Sequence, residues 1–528
     1  MKEKMLRFLT ITFAGIFSFL LLGICNVSAA EEVLIYGRKS GYIMDSAVAC
    51  GDEEIETIDI VYDTLVTLDN DLKVQPLLAT SWEVSEDYKD YTFHLRKGVK
   101  FHDGTPFNAE AVRFSFNRLL DVGKVCIGSW MQIADKESVK VVDEYTVKIH
   151  LIKPYPGLIP ADMINGVYSI MSPTYVKKHT TVDDPYAEKW MIEHECGTGP
   201  WKLVNWVKGQ KVVFEKNKDY FGGDNPASDK LTPRADKMIF RIYKDSSTAR
   251  LWLEKGDVDF VEKLSPDDFV ALEKTPHIKV YKAKYPKMVY LTFDVSKPPF
   301  NDENVRKAMA YAMKYHELID YVEKKNSSMP RGMIPEGILG YSPNRFQYNY
   351  DLKKAKEFMA KSKYPKGFTT KLLYCPERRG SFEVGATYIQ SYLKKIGINV
   401  TPTPLALPTM LAEMAKGDYG ITLKAWSAGL PDPDEIPGWL YDQPRDDSGW
   451  TACYWYDEKA IHNMELARTL PNGPEREKLY SETDDLAISK AIYIPLYQTM
   501  NLIAIRDNIK NFIWKPYVWT RFGTIEKD

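Results

Sequence analysis

The chain has 528 residues, 44% of them hydrophobic and 13% aromatic with 12 Trp, and its 70 basic and 72 acidic residues leave a formal net charge of −2. That near balance excludes the basic footprint of a nucleic-acid binder. The length exceeds what one core supports, since domains run ~50 to 250 residues, so at least two lobes are expected.

Lys2, Lys4 and Arg7 precede an apolar run from Phe8 to Ile24, and Val27-Ser28-Ala29 or Ser28-Ala29-Ala30 offers small residues for a signal peptidase. This is the pattern of a cleaved secretory signal. Removal of residues 1–30 is expected, which takes away three basic residues and one acid and moves the charge to −4. Ile24 precedes Cys25 where lipoprotein processing needs a small residue, so a soluble periplasmic protein is expected and not a lipid-anchored one. No later stretch reaches the roughly 18 to 20 apolar residues needed to span a bilayer. Five cysteines remain, Cys50, Cys126, Cys196, Cys375 and Cys453. An oxidising compartment allows one or two disulfides among them, and spacing leaves the pairing open.

Val33 to Tyr36 reads as a strand ending at Gly37, and Asp59 to Leu68 as a further apolar segment. Tyr91, Phe93 and Leu95 alternate with polar residues, and after Lys97-Gly98 so do Val99 and Phe101, which predicts two short half-buried strands. Asp103-Gly104 is a turn, and His102 beside it reads as a solvated strand edge. Asn108 is a helix cap with Glu110 in the first turn, and Phe107 and Val112 have the spacing of a hydrophobic staple. The run Tyr91 to Leu120 closely resembles the signature of the large periplasmic solute-binding proteins of ABC importers, solute-binding protein family 5, the peptide/nickel-binding type. Its members carry Phe-x-Leu-Arg-x-Gly-Val-x-Phe-His-Asp-Gly followed by Asn-Ala-Glu.

Further along, Val139 to Leu151 alternates around Asp143-Glu144 as a hairpin. Gly197-Thr-Gly-Pro-Trp201 and Asn217 to Gly223 are similar to family stretches, and the former lacks the lysine and glycine spacing of a phosphate loop. Ser246 caps a helix to Lys255 that Gly256 stops, with a strand from Val258 to Val261. Helical stripes run over Asn301 to Val322 and Phe382 to Ile396, and Pro408 to Lys416 is a helix stopped by Gly417 before an apolar strand from Ile421 to Ala425.

The resemblance covers nearly the whole mature chain. It implies an α/β, two-lobed periplasmic binding protein fold of type II, in the large cluster with an extra subdomain on the first lobe. Lobe I would span 31–284, with the extra subdomain at about 72–186, lobe II would span 285–494, and 495–528 would return to lobe I. The crossings near Tyr285 to Leu291 and Ile494 to Met500 contain Pro286 and Pro495, which suits hinge strands.

The function implied is a periplasmic, non-enzymatic binding module that captures a peptide or related solute between the lobes and delivers it to an ABC permease with its ATPase. It would work as a monomer, with no nucleic acid, cofactor or metal. Non-peptide solutes such as an oligosaccharide or opine, and a sensor or chaperone of the same fold, remain alternatives. No Gly-x-Ser-x-Gly elbow or His-Glu-x-x-His helix is present, and Ser391 to Lys394 lacks the companion motifs of a penicillin-binding enzyme. His194 and Cys196 lack a second ligand pair for a metal.

Ligand choice is expected from the strand end and rigid loop Ala425 to Asp434, through Trp426, Ser427, Gly429 and Asp432, because open α/β sheets bind ligands at the carboxyl ends of their strands. Arg378 and Arg379, in the loop before the Phe382 helix, either meet a ligand carboxylate or are solvated surface. Family members that bind peptides by a free amino terminus place an Asp three residues after this tryptophan. Here that position is Gly429, which puts ordinary peptide capture in doubt unless Asp432 reaches in as a substitute.

Overall fold

The computed structural model describes residues 31–39, 43–49, 51–69, 73–123, 130, 133–224, 233–417, 419–435, 441, 449–450, 453–513 and 522–528. Residues 1–30, with the signal-peptide reading and Cys25, lie outside them, as do Cys50 and Cys126. Among the described residues no helix is long and apolar enough to cross a membrane. Cys196, Cys375 and Cys453 are free and buried.

One mixed sheet of eleven strands runs through the described chain from Val33 onward. Its order is Ile398–Pro404, Phe368–Tyr374, Ile421–Ser427, Ile278–Thr292, Ile494–Arg506, Phe260–Glu262, Val33–Arg38, Lys237–Ile242, Lys211–Lys216 and Trp201–Val207, with Ser327–Ser328 added on Ile494–Arg506. The two long central strands, Ile278–Thr292 and Ile494–Arg506, pair antiparallel, and the register shifts between Lys284 and Met288, at Pro286. A proline cannot donate to the ladder, so pairing is interrupted where the chain passes from one core to the other.

The two cores are separate. One gathers Leu34, Phe93, Phe116, Trp130, Trp201 and Phe240 and takes in Ile503, Ile505 and Phe522 from the C-terminal end. The other gathers Val289, Leu291, Met309, Ile389, Leu423 and Ile494. This is an α/β fold with two lobes, each covering its half of the sheet with helices.

Local signals set much of the first core. Asn108 accepts a hydrogen bond from the Ala111 amide at 3.1 Å and starts the helix Ala109–Val122, while Phe107 and Val112 are both fully buried. Asp90–Leu95 lies in a four-stranded antiparallel sheet between Ala79–Val84 and Thr146–His150, with Val139–Asp143 outermost.

Four expectations are corrected. Val99 to Phe101 forms no strand, only a single bridge between Lys100 and Pro106, because the chain there folds onto its own turn. The helix at 246 is capped by Asp245, which accepts from the Thr248 amide at 2.8 Å, one residue before Ser246. The stripe over Asn301 to Val322 is broken: a helix Glu303–Ala312 ends at Met313 in extended backbone, and a π-helical turn Leu318–Val322 follows. His102 is not a solvated edge. Its ring is 6% exposed, with Nδ1 2.7 Å from the Glu195 carboxylate and Nε2 3.0 Å from the Gly199 carbonyl. Burial alone would lower its pKa, and the Glu195 charge together with the hydrogen bonds to Glu195 and Gly199 outweighs that and raises it. Imidazolium is the form that donates at both nitrogens, so this pair staples the signature turn to Gly197–Gly199.

Candidate functional site

Strand Ile421–Ser427 enters the sheet buried at Ile421, Thr422, Leu423 and Lys424 and becomes half-buried at Ala425, Trp426 and Ser427. Trp426 stands opposite Met288 and Ser427 opposite Lys287, just after the Pro286 interruption. The Ala428 amide donates to the Pro286 carbonyl at 2.9 Å, so the loop that follows starts from the hinge strand itself.

That loop is pinned by two arginines. Arg476, from the helix Pro474–Ser489, forks onto both oxygens of Asp432 at 2.8 and 2.9 Å, and both side chains are at least 95% buried. Arg468, from the helix Glu458–Arg468, reaches Asp434 at 3.0 and 3.1 Å, and the Tyr480 hydroxyl adds a bond at 3.0 Å. Asp432 Oδ1 also accepts from the Asp434 amide at 2.9 Å. Pro431 before the first anchor and Pro433 between the two stiffen the stretch, and the bidentate geometry fixes its direction.

The Trp426 indole donates to the Glu435 carbonyl at 2.8 Å and meets the Trp450 ring edge-to-face at 6.2 Å. Lys424 lies 5.2 Å from the Trp450 ring centre and donates to the Trp450 carbonyl at 2.9 Å. Arg378, exposed, lies 5.9 Å from the same ring. Aromatic faces with cations beside them thus line one side of the strand end.

The other side is acidic. Glu435 lies next to Gly429: a Cβ built on that glycine would sit 3.8 Å from Glu435 Oε2, the one contact within 4 Å among the described residues beyond its chain neighbours. Burial pushes the Glu435 carboxyl up to about 8, and Asp162, Asp432 and Asp434 push the same way, against the Gly429 amide. Asp162 comes from the first lobe, in the turn Leu158–Asp162. Tyr155, which precedes that turn, is itself raised by burial and by Asp162, Asp432 and Asp434. The segment 155–162 therefore lies within electrostatic reach of the loop 429–435. A second approach lies at Lys39, whose ammonium donates to the Glu377 carbonyl at 3.1 Å.

Of the residues expected here, Trp426, Ser427, Gly429 and Asp432 share one strand end and loop, and Arg378 joins them through Trp450. Asp432 points back into its own lobe, onto Arg476. Arg379 is placed apart: it pairs with Glu323, a buried carboxylate that also accepts from Ser381 at 2.6 Å and Tyr497 at 2.9 Å, beside Pro495. Sequence reasoning missed Glu435, Lys424, Trp450, Tyr155 and Asp162. A lysine in an otherwise apolar strand was a signal for Lys424, and a third acid directly after Asp434 was one for Glu435. Among the described residues no group of His, Cys, Asp and Glu is arranged to hold a metal ion.

The model of bacterial extracellular solute-binding proteins, family 5 Middle, matches residues 73–448. The probable D,D-dipeptide-binding periplasmic protein DdpA of Escherichia coli K12 is 29% identical over 93% of both chains. Among solved structures, the periplasmic binding protein DppA from Helicobacter pylori, in complex with the peptide STSA, is 27% identical with a TM-score of 0.83, over 94% of this chain and 98% of that one. AgaA from A. tumefacien R10, in complex with agropinic acid, is 26% identical with a TM-score of 0.81, over 94% of this chain and 99% of that one.

Proposed function

Because this chain belongs to the bacterial extracellular solute-binding proteins, family 5, we propose that it is the periplasmic binding component of an ABC importer and that its solute is a short peptide. Lobe boundaries at 31–284, 285–494 and 495–528, export with loss of residues 1–30, and delivery to a permease by a monomer are parts of the same reading. The observation that carries it is the half-buried strand end at Trp426 and Ser427, whose loop starts from the hinge strand at Pro286, with Tyr155 and Asp162 of the other core within electrostatic reach of that loop. A ligand touching both walls stabilises the approach of the lobes, and only that difference in affinity shifts the equilibrium between open and closed forms. Aromatic faces at Trp426 and Trp450 suit side chains, the acids suit an amine, and Arg378 suits a carboxylate. Trp426, Ser427, Gly429 and Arg378 are the contacts assigned to the ligand, with Asp432 and Arg379 holding their loops in place.

The relatives named for a D,D-dipeptide and solved with STSA support a peptide, and the one solved with agropinic acid keeps an opine as the second reading. Native mass spectrometry of protein purified without denaturation separates the two. Released masses that fragment as peptides are expected. Masses that fragment as an opine or a glycan would overturn the peptide assignment and leave the binding function standing.

A further inference from the structure

The second lobe meets the hinge strand Ile494–Arg506 through residues 323–328, and the backbone there is one that residues with side chains rarely adopt. Lys324 and Lys325 have φ of +51° and +64°, two left-handed residues in succession and neither a glycine. Asn326, 1% exposed, finds no hydrogen-bond partner among the described residues for either end of its amide, and the buried Ser327 hydroxyl finds none. Buried polar groups are ordinarily satisfied, so this is a second cost at the same place. Surrounding contacts impose both. On one side Glu323 accepts from Tyr497 of the hinge strand at 2.9 Å, from Ser381 at 2.6 Å and from Arg379. On the other, Ser327 and Ser328 pair with Thr499 and Gln498, and the Asn326 carbonyl accepts from the Met500 amide at 3.1 Å. Met500 packs on a first-lobe core of Leu253, Val261 and Leu272, and Lys324 Nζ lies 3.2 Å from Asp267 in the first-lobe helix Pro266–Leu272. Gln498 in turn donates to the Tyr285 carbonyl at 3.2 Å, beside Pro286, and accepts from the Glu336 amide at 3.1 Å.

Backbone strain persists only where the rest of a structure over-determines it, and it collects at elements that switch between arrangements. Here it coincides with lobes in contact, since Lys39 of the first lobe reaches the Glu377 carbonyl at 3.1 Å and Lys324 reaches Asp267. Resting on the reading above of two lobes that close on a peptide, we propose that residues 323–328 are a strap across the hinge, strained when the lobes approach and relaxed when they part. Parting turns the hinge strand against Ser327 and Ser328, lets Lys324 and Lys325 leave the left-handed region and brings the Asn326 amide to water. The strap thereby favours the open form of the empty protein. Ligand contacts with both lobes offset that bias on capture, and the strap returns it on release.

Lys325→Gly tests this, because the Lys325 side chain is exposed and the substitution removes only the Cβ that makes a positive φ costly. Small-angle scattering of the ligand-free variant is expected to give a smaller radius of gyration than native. Calorimetry with a pool of di- to pentapeptides is expected to show affinity raised about 5-fold, the ratio that relief of one left-handed residue provides. Asn326→Leu, which removes the two bare polar atoms, should move both readouts the same way and keeps the test open if the glycine variant fails to fold. A segment strained equally in open and closed forms would raise the melting temperature of Lys325→Gly and leave radius and affinity as in native. That result, or a fall in affinity, overturns the strap and leaves peptide capture intact. Failure of native protein to bind any member of the pool overturns the peptide reading, and the ligand-free radii then still decide the strap.

Discussion

Asp432→Ala should destabilise the protein by about 3–5 kcal/mol and weaken ligand capture with it, because removing one partner of a buried ion pair leaves the other charge uncompensated. Arg476 is 2% exposed, and its guanidinium also donates to the Ala467 carbonyl at 3.1 Å and the Asn472 side chain at 2.6 Å and lies 5.1 Å from the Tyr480 ring centre, none of which carries a compensating charge. Loss of the carboxylate frees the loop from Ala428 to Glu435 at its midpoint, and the walls of the cleft then lose their fixed spacing, which is what a preorganised site relies on. Urea denaturation measures the first effect and calorimetry with the peptide pool the second. Asp432→Asn should recover part of the stability, since an amide oxygen still accepts from Arg476 and from the Asp434 amide.

Asp484→Ala should cost at least as much, about 3–5 kcal/mol, with no aromatic or acid of the cleft touched. Its carboxylate, fully buried, accepts from the Met333 amide at 3.0 Å, the Ile334 amide at 3.1 Å, Arg345 at 2.6 Å and the Tyr441 hydroxyl at 2.9 Å. Three donors, the two amides and the Tyr441 hydroxyl, lose their acceptor at once while Arg345 keeps Asp485 at 2.7 Å, and each buried donor left without an acceptor carries its own desolvation penalty. Gly332 is part of the same knot: its φ is +93° and a Cβ there would lie 2.2 Å from Asp484 Oδ2. The chain passes Asp484 through a conformation and a clearance that only glycine provides. The readout is the denaturant midpoint together with intrinsic tryptophan fluorescence, and a variant within about 1 kcal/mol of native would contradict the account of this network.

What could be read beforehand divides by the range of the interaction. The helix behind Asn108 was legible because its cap, first-turn acid and staple lie within a few residues of one another. So were Tyr91, Phe93 and Leu95, whose alternation faces a real sheet. Val99 and Phe101 alternate equally well and make no strand, since alternation does not reveal whether a partner strand is present. His102 looked like a surface residue because Glu195, which buries and charges it, is 93 residues away. Asp432 and Arg379 likewise take their meaning from Arg476, 44 residues on, and Glu323, 56 residues back. In the candidate site, the loop and its tryptophan could be found from strand-end position and family resemblance. Which acids are held by arginines could not, because that depends on two helices folding back over the loop.

Small-angle X-ray scattering of the solute-stripped mature chain, alone and saturated with the peptide pool, tests the central claim most directly. If two lobes close on a peptide about the strands through Pro286 and Pro495, the radius of gyration falls on saturation and the profile changes over the angles that report lobe separation. Superimposable profiles with and without bound peptide would contradict it.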